Sequence, residues 1–142
     1  MIGLEFEWNK ENNLIKEFVS SLMTSDYEWY VMENEIISNN HIFALEKKYS
    51  GENFKKIWEN NFDLIYFLNV QVYLKNSKVK KIINYCDYKN SSCQLMLLIS
   101  DIYYVEIYSK DSKILKPILD RKIENLEIKT EKKDNRTIMK VN

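Results

Sequence analysis

The chain reads as an α+β protein, a mainly antiparallel sheet with about three helices packed on one face. Three observations predict this. An unbroken apolar run, Leu95-Met96-Leu97-Leu98-Ile99, meets an alternating arm, Tyr104-Val105-Glu106-Ile107-Tyr108, across a polar turn at Ser100-Asp101. That is the pattern of a hairpin whose first arm is buried on both faces. Strand-like stretches elsewhere are joined by short turns, which favours antiparallel pairing over a doubly wound parallel sheet. Helical stripes recur between them. With only two Gly and one Pro in 142 residues, no flexible linker divides the chain, and residues 1–142 read as one α+β domain.

Each element has its own signal. Ile2, Leu4, Phe6 and Trp8 alternate with Gly3, Glu5 and Glu7, predicting a half-buried strand, and Asn9 suits the N-cap of the helix after it. Leu14, Ile15, Phe18, Val19, Leu22 and Met23 recur at helical spacing. Tyr27 to Met32 is a second strand, with Ile36-Ile37 as its returning partner. Ser50 caps a helix carrying Phe54, Ile57 and Trp58. From Asp63 to Leu74 a long strand puts Tyr66, Leu68, Val70, Val72 and Leu74 on one face and Asn69, Gln71 and Tyr73 on the other. After a turn at Asn76-Ser77, residues 79–88 fit either a strand or a short helix. Beyond the 93–108 hairpin, Ile114, Leu115, Ile118, Leu119 and Ile123 form a last helical stripe whose first turn holds Pro117. Leu126–Thr130 and Thr137–Val141 finish the chain as a hairpin.

Composition narrows the function classes. A hydrophobic fraction of 45% supports a globular core, and 21 basic residues balance 21 acidic ones, so no net field draws in nucleic acid. Lys78, Lys80 and Lys81 make the densest basic patch. No apolar run spans a bilayer, and the first residues lack a signal-peptide core, so a cytoplasmic protein without membrane contact is expected. Cys86 and Cys93 are seven apart, which suits free thiols, not a metal knuckle or a disulfide scaffold.

Chemical motifs are sparse. His41 is the only histidine and sits in a polar loop, where a surface role is the ordinary one. Asp101 reads as a turn residue, with pairing to Asp63 or Asp87 as the sharper alternative. No phosphate-cradling loop, nucleophile elbow or metal-ligand spacing occurs, so no catalytic residue, metal or cofactor is expected. Aromatics are abundant, at ten tyrosines, six phenylalanines and three tryptophans. Tyr73, Tyr104 and Tyr108, with Glu106 between the last two, are the candidate binding surface, because tyrosine is enriched in protein interfaces.

Several pieces resemble one bacterial family. They are Gly3-Leu4-Glu5-Phe6-Glu7, Tyr27-Glu28-Trp29-Tyr30, Ser92-Cys93-Gln94-Leu95-Met96-Leu97-Leu98 with Asp101, Tyr104-Val105-Glu106-Ile107-Tyr108-Ser109-Lys110-Asp111, and Asp134-Asn135-Arg136-Thr137. In this order, over nearly the whole chain, they look like domain of unknown function 2691 (DUF2691), found in Bacillus and Clostridium relatives. The resemblance implies one small intracellular domain and supplies no catalytic residues. The expected function is a non-catalytic protein-binding or regulatory protein, with an immunity-type protein as one form. Its partner is another protein or a second copy. The alternatives are a small enzyme using Asp101, Asp87 or His41, and a self-associating structural subunit.

Overall fold

The computed structural model describes residues 1–8, 14–22, 26–38, 41–43, 45–59, 64–102 and 104–130. In chain order the elements are β1 (Gly3–Glu7), α1 (Leu14–Leu22), β2 (Tyr27–Ser38), β3 (His41–Phe43), β4 (Lys48–Ser50), α2 (Gly51–Glu59), β5 (Leu64–Leu74), α3 (Tyr85–Lys89), β6 (Leu95–Ser100) and β7 (Tyr104–Ser109). A 3₁₀ turn (Ser112–Leu115), α4 (Lys116–Leu119) and β8 (Glu127–Lys129) follow. All pairings among the described residues are antiparallel, in the order β3-β2-β5-β6-β7-β1-β8, with β4 also on β2. The fold is α+β with the sheet dominant. Among the described residues no helix is long and apolar enough to cross a membrane.

The β6–β7 hairpin forms as its pattern dictates. Leu95 through Leu98 and Ile99 are all buried, because β6 lies between β5 and β7 and is covered on both faces. Leu95, Leu97 and Ile99 point to an inner face. There they join Leu4 and Phe6 of β1, Trp29 and Val31 of β2, and Val70 and Val72 of β5. Phe18 of α1, Phe54 and Trp58 of α2, Leu115 and Ile118 complete this core, with Trp29 stacked on Phe54 at 5.2 Å. Ser50 Oγ accepts the Asn53 N–H at 3.2 Å, the expected cap of α2. Pro117 stands in the first turn of α4, where its missing N–H costs nothing.

Four expectations need correction. Not all helices share one face: α1, α2 and α4 contribute to the inner core, whereas Tyr85 and Tyr88 of a fourth, α3, pack on the opposite, distal face with Tyr73, Met96, Leu98 and Tyr108. Tyr27–Met32 and Ile36-Ile37 are not a strand and its partner. They are one twelve-residue strand, kept in register along β5 by irregularities at Val31/Glu33 and Glu35/Ile36. Residues 79–83 form neither strand nor helix but an unpaired strap across the distal face, and the short helix starts only at Tyr85. The last helical stripe, Ile114 to Ile123, forms as a 3₁₀ turn and the four-residue α4, not as one helix. Asn9, Met23, Asp63 and the 137–141 strand lie outside the described residues.

The strap is tied down at several points. Asn84 and Asp87 form a capping box, in which Asp87 N–H donates to Asn84 Oδ1 at 2.9 Å and Asp87 Oδ2 accepts the Asn84 N–H at 3.4 Å. The Tyr88 hydroxyl donates to the Gln94 carbonyl at 3.1 Å. At the other end of α3, Lys110 Nζ donates to the carbonyls of Ser91 (2.8 Å) and Lys89 (3.2 Å). It lies 4.9 Å from the Tyr88 ring centroid. Burial lowers the Lys110 pKa from its ordinary value.

Candidate functional site

The strap decides what becomes of the expected tyrosine surface. Tyr73 is fully buried beneath it and Tyr108 against Tyr88 of α3, so they are not the exposed contact residues that alternation predicts. The Tyr73 hydroxyl donates to Gln71 Oε1 at 2.7 Å and accepts the Lys80 N–H at 3.3 Å. Tyr108 donates to Glu106 Oε2 at 3.2 Å and packs against Tyr88. Tyr108 fits because its strand partner is Gly3: a Cβ there would stand 2.7 Å from the Ile107 carbonyl oxygen and 2.8 Å from Tyr108 Cδ1. Of the four candidates, Tyr104 alone is exposed and Glu106 is half-buried. Glu7, its partner across the strand pair, pushes the Tyr104 phenol up.

The candidate carboxylates do not converge. Asp101 is exposed in the β6–β7 turn, His41 is exposed at the start of β3, and Asp87 is engaged in the α3 capping box. Among the described residues no three of His, Cys, Asp or Glu group to hold a metal. Cys86 is exposed and Cys93 buried, both as free thiols. Cys93 Sγ donates to the Leu95 carbonyl at 3.2 Å, and burial pushes the thiol up to about 12. Its thiolate is therefore scarce at neutral pH.

What the strap leaves open is a cleft of about 720 Å³ over β2 and β5. Its floor is Tyr30, Asn69 and Gln71, and its far wall is Val79, Ile82 and Ile83. Both amides belong to β5, paired with β6 through Asn69–Leu98 and Gln71–Met96. Asn69 is 5% exposed and Gln71 1%. Amide side chains this deep in an otherwise apolar strand are the informative exceptions of a core. Gln71 has its Tyr73 hydrogen bond, but Asn69 Oδ1 is buried with no partner among the described residues. Such an orphan acceptor is expensive and rare.

The irregularity in β2 shapes the near wall. Val31 pairs with Val70 and Glu33 with Asn69, so Met32 is the extra residue, and both Met32 and Glu33 border the cleft. Bulges cluster where a strand re-aims side chains toward a site. Lys47 enters from the outer edge of β2, where its carbonyl accepts the Val31 N–H at 2.9 Å. With Lys80 and Lys81 from the strap it gives three ammonium groups against the single Glu33 carboxylate. Tyr30 is fixed by donating to Glu28 Oε2 at 2.9 Å, and Lys48 bridges that carboxylate at 3.3 Å. Burial first, then Glu28, raises the Tyr30 phenol.

Sequence reasoning placed Asn69, Gln71 and Tyr73 on one strand face and singled out the 78–81 lysines, but it did not join them. The signal was the pair of amides inside a central strand. A second cavity of about 300 Å³ lies on the helix side beside Trp29, with Leu22 and Tyr27 in its wall.

Comparisons with known proteins agree with the resemblance read from the strand and turn residues. The chain is 24% identical over 151 residues to "Uncharacterized protein YncE" of Bacillus subtilis (strain 168), covering 98% of each. No solved structure matches. The family described as "Protein of unknown function (DUF2691)" matches residues 1–140, and the chain belongs to that family.

Proposed function

We propose that the protein is a non-catalytic binding protein whose working site is the distal cleft. The observation that carries this reading is the buried, unpartnered Asn69 Oδ1 at the cleft floor. A buried acceptor left unpaired costs ~1–3 kcal/mol, a cost more readily retained where a ligand group completes it. The cleft also has the volume of small-molecule sites, roughly 300–1,000 Å³, with apolar walls beside amide and charged groups. The protein-partner reading loses support because Tyr73 and Tyr108 are covered. Tyr104 with half of Glu106 is a small part of the roughly 800 Å² per partner that a stable interface needs. The carboxylate-enzyme reading lacks a convergent set of side chains among the described residues.

A fragment screen by ligand-observed NMR on the full chain, repeated on Val79→Trp, tests the proposal. The indole placed at half-buried Val79 on the far wall fills the cleft, so the variant, its fold checked by its amide spectrum, should lose the hits. Hits that bind a folded Val79→Trp as well as the parent would place the binding site elsewhere.

A further inference from the structure

We infer that the cleft takes a small organic anion, a carboxylate or phosphate monoester, whose apolar or aromatic body carries an N–H or O–H donor. This deepens the cleft-binding reading and rests on it. Three independent features of the lining specify the three parts of the ligand. The rim supplies charge. Lys80 and Lys81 of the strap and Lys47 on the opposite side all line the cleft, so basic residues flank it from both walls. The single carboxylate there, Glu33, does not balance them. Lysine is a compact point charge with three donors, suited to either carboxylate or phosphate oxygens. The walls supply apolar contact, through Met32, Val79 and the half-exposed Ile83. The floor supplies the polar test. Asn69 lines the floor, and its Oδ1, closed to solvent in the free protein, is an acceptor without a partner among the described residues, so a ligand N–H or O–H that draws the amide toward the cleft would satisfy it. A site built to receive a donor rejects an analogue lacking it far more strongly than an apolar pocket rejects a missing methylene.

The charges are exposed, so they contribute modestly and are screened by salt. Each exposed lysine pairing is worth up to roughly fivefold in affinity, whereas loss of the buried donor contact costs more.

The test uses matched indole probes on the full ¹⁵N-labelled chain, followed through the side-chain amide of Asn69 and the backbone amides of residues 79–83. Indole-3-acetate presents carboxylate, aromatic body and N–H, and 3-indoxyl phosphate replaces the carboxylate by a phosphate monoester. Indole-3-acetamide removes the charge, tryptamine inverts it, and 1-methylindole-3-acetate removes the donor. The expected result is that at least one anionic N–H probe shifts these signals. It should bind about tenfold or more tighter than the amide, tryptamine or N-methyl compound, and weaken with added salt and in Lys80→Gln/Lys81→Gln. The stronger of the acetate and the phosphate names the source of the anion. Equal binding of acetamide or tryptamine at these residues would overturn the anion assignment and leave the cleft as a binding site. Equal binding of the N-methyl compound would overturn the donor. Should none of the probes move these signals, or should shifts fall only outside the cleft, both the ligand class and the cleft reading fail.

Discussion

Replacing Asn69 by leucine separates a functional acceptor from a structural one. Leucine keeps the branching of asparagine at Cγ but is the larger side chain, so the substitution removes the amide and adds a packing cost. Asn69 is 5% exposed, and its Oδ1 has no partner among the described residues. The folded protein therefore bears the desolvation cost of that oxygen, ~1–3 kcal/mol, without a compensating bond. Asn69→Leu should remove this cost and raise stability by at most that amount, roughly 3–12 °C in Tm for a chain of this size, less the cost of seating the larger side chain. A matched control exists in Asn34, whose Oδ1 accepts the Leu45 N–H at 3.3 Å. Asn34→Leu leaves that N–H unpaired and should destabilise by ~1 kcal/mol or more. Equilibrium unfolding in urea, read by tryptophan fluorescence, gives both values, with unchanged m confirming that the same transition is compared. The reasoning is refuted if Asn69→Leu destabilises like Asn34→Leu, because Oδ1 would then be satisfied in the free protein. A more stable Asn69→Leu that also loses binding would be the stability–function trade-off expected of a binding residue.

Other outcomes follow from the packing. Leu97 is 1% exposed at the centre of β6, and Leu97→Ala should cost ~2–5 kcal/mol, seen as a lower urea midpoint. Gly3→Ala places a methyl against the Ile107 carbonyl oxygen and the Tyr108 ring, and should cost ~1–3 kcal/mol by calorimetry; a neutral result would contradict the close approach of β1 and β7. Burial holds Cys93 and Tyr73 up to about 12 each, so above the ordinary thiol value of 9.0 the unfolded chain releases protons that the folded chain keeps. Stability is then complete below pH 9 and declines as pH rises toward 12, and Cys93→Ala should flatten the first part of that decline in pH-dependent urea titrations. In native buffer a thiol reagent should modify Cys86 quickly and Cys93 only at the rate of opening.

The elements that sequence made legible are those in which one local rule governs. In β6 and β7 the apolar run, the alternation and the polar turn agree, and the hairpin forms between Leu95 and Ser109. Around Ser50 the cap and the Phe54–Trp58 stripe agree, and α2 follows. β2 was misread because Glu33, Asn34 and Glu35 look like a break. The actual solution is tertiary: the extra residue Met32 restores the register, and the Asn34 side chain is satisfied by Leu45. The strap was illegible for a similar reason. Val79, Ile82, Tyr85 and Tyr88 bury against the sheet at a spacing of three that reads as helix, yet the helix starts only at Tyr85 and residues 79–83 cross the face unpaired. Exposure of Tyr73 and Tyr108 therefore could not be judged from their own strands. It depended on whether a third segment crossed them. The cleft inherits the same limit, for its floor was readable in Asn69 and Gln71 while its far wall was not.

The balance of 21 basic and 21 acidic residues describes the far field, not the field in the cleft. On the distal face Glu28 and Glu33 of β2 stand near the cleft lysines, and a second acidic strip stands apart from them. Glu106 on β7 and Glu5 and Glu7 on β1 lie toward one side, with Glu5 held by Lys129 at 3.0 Å. Lys80, Lys81 and Lys47 rim the cleft over β2 and β5 on the other. In the order β2-β5-β6-β7-β1, these groups stand two to four strand spacings apart, roughly 10–19 Å. The screening length at physiological ionic strength is about 8 Å. An anion in the cleft is thus governed by the nearby ammonium groups, while the acidic strip is largely screened from it. At low salt the strip regains its reach and opposes the lysines. The salt dependence of anion binding should consequently be shallower than three lysines alone would give, and Glu5→Gln/Glu7→Gln should steepen it without changing affinity at physiological salt. Affinity reduced by that pair at physiological salt would mean that the acidic strip belongs to the site itself.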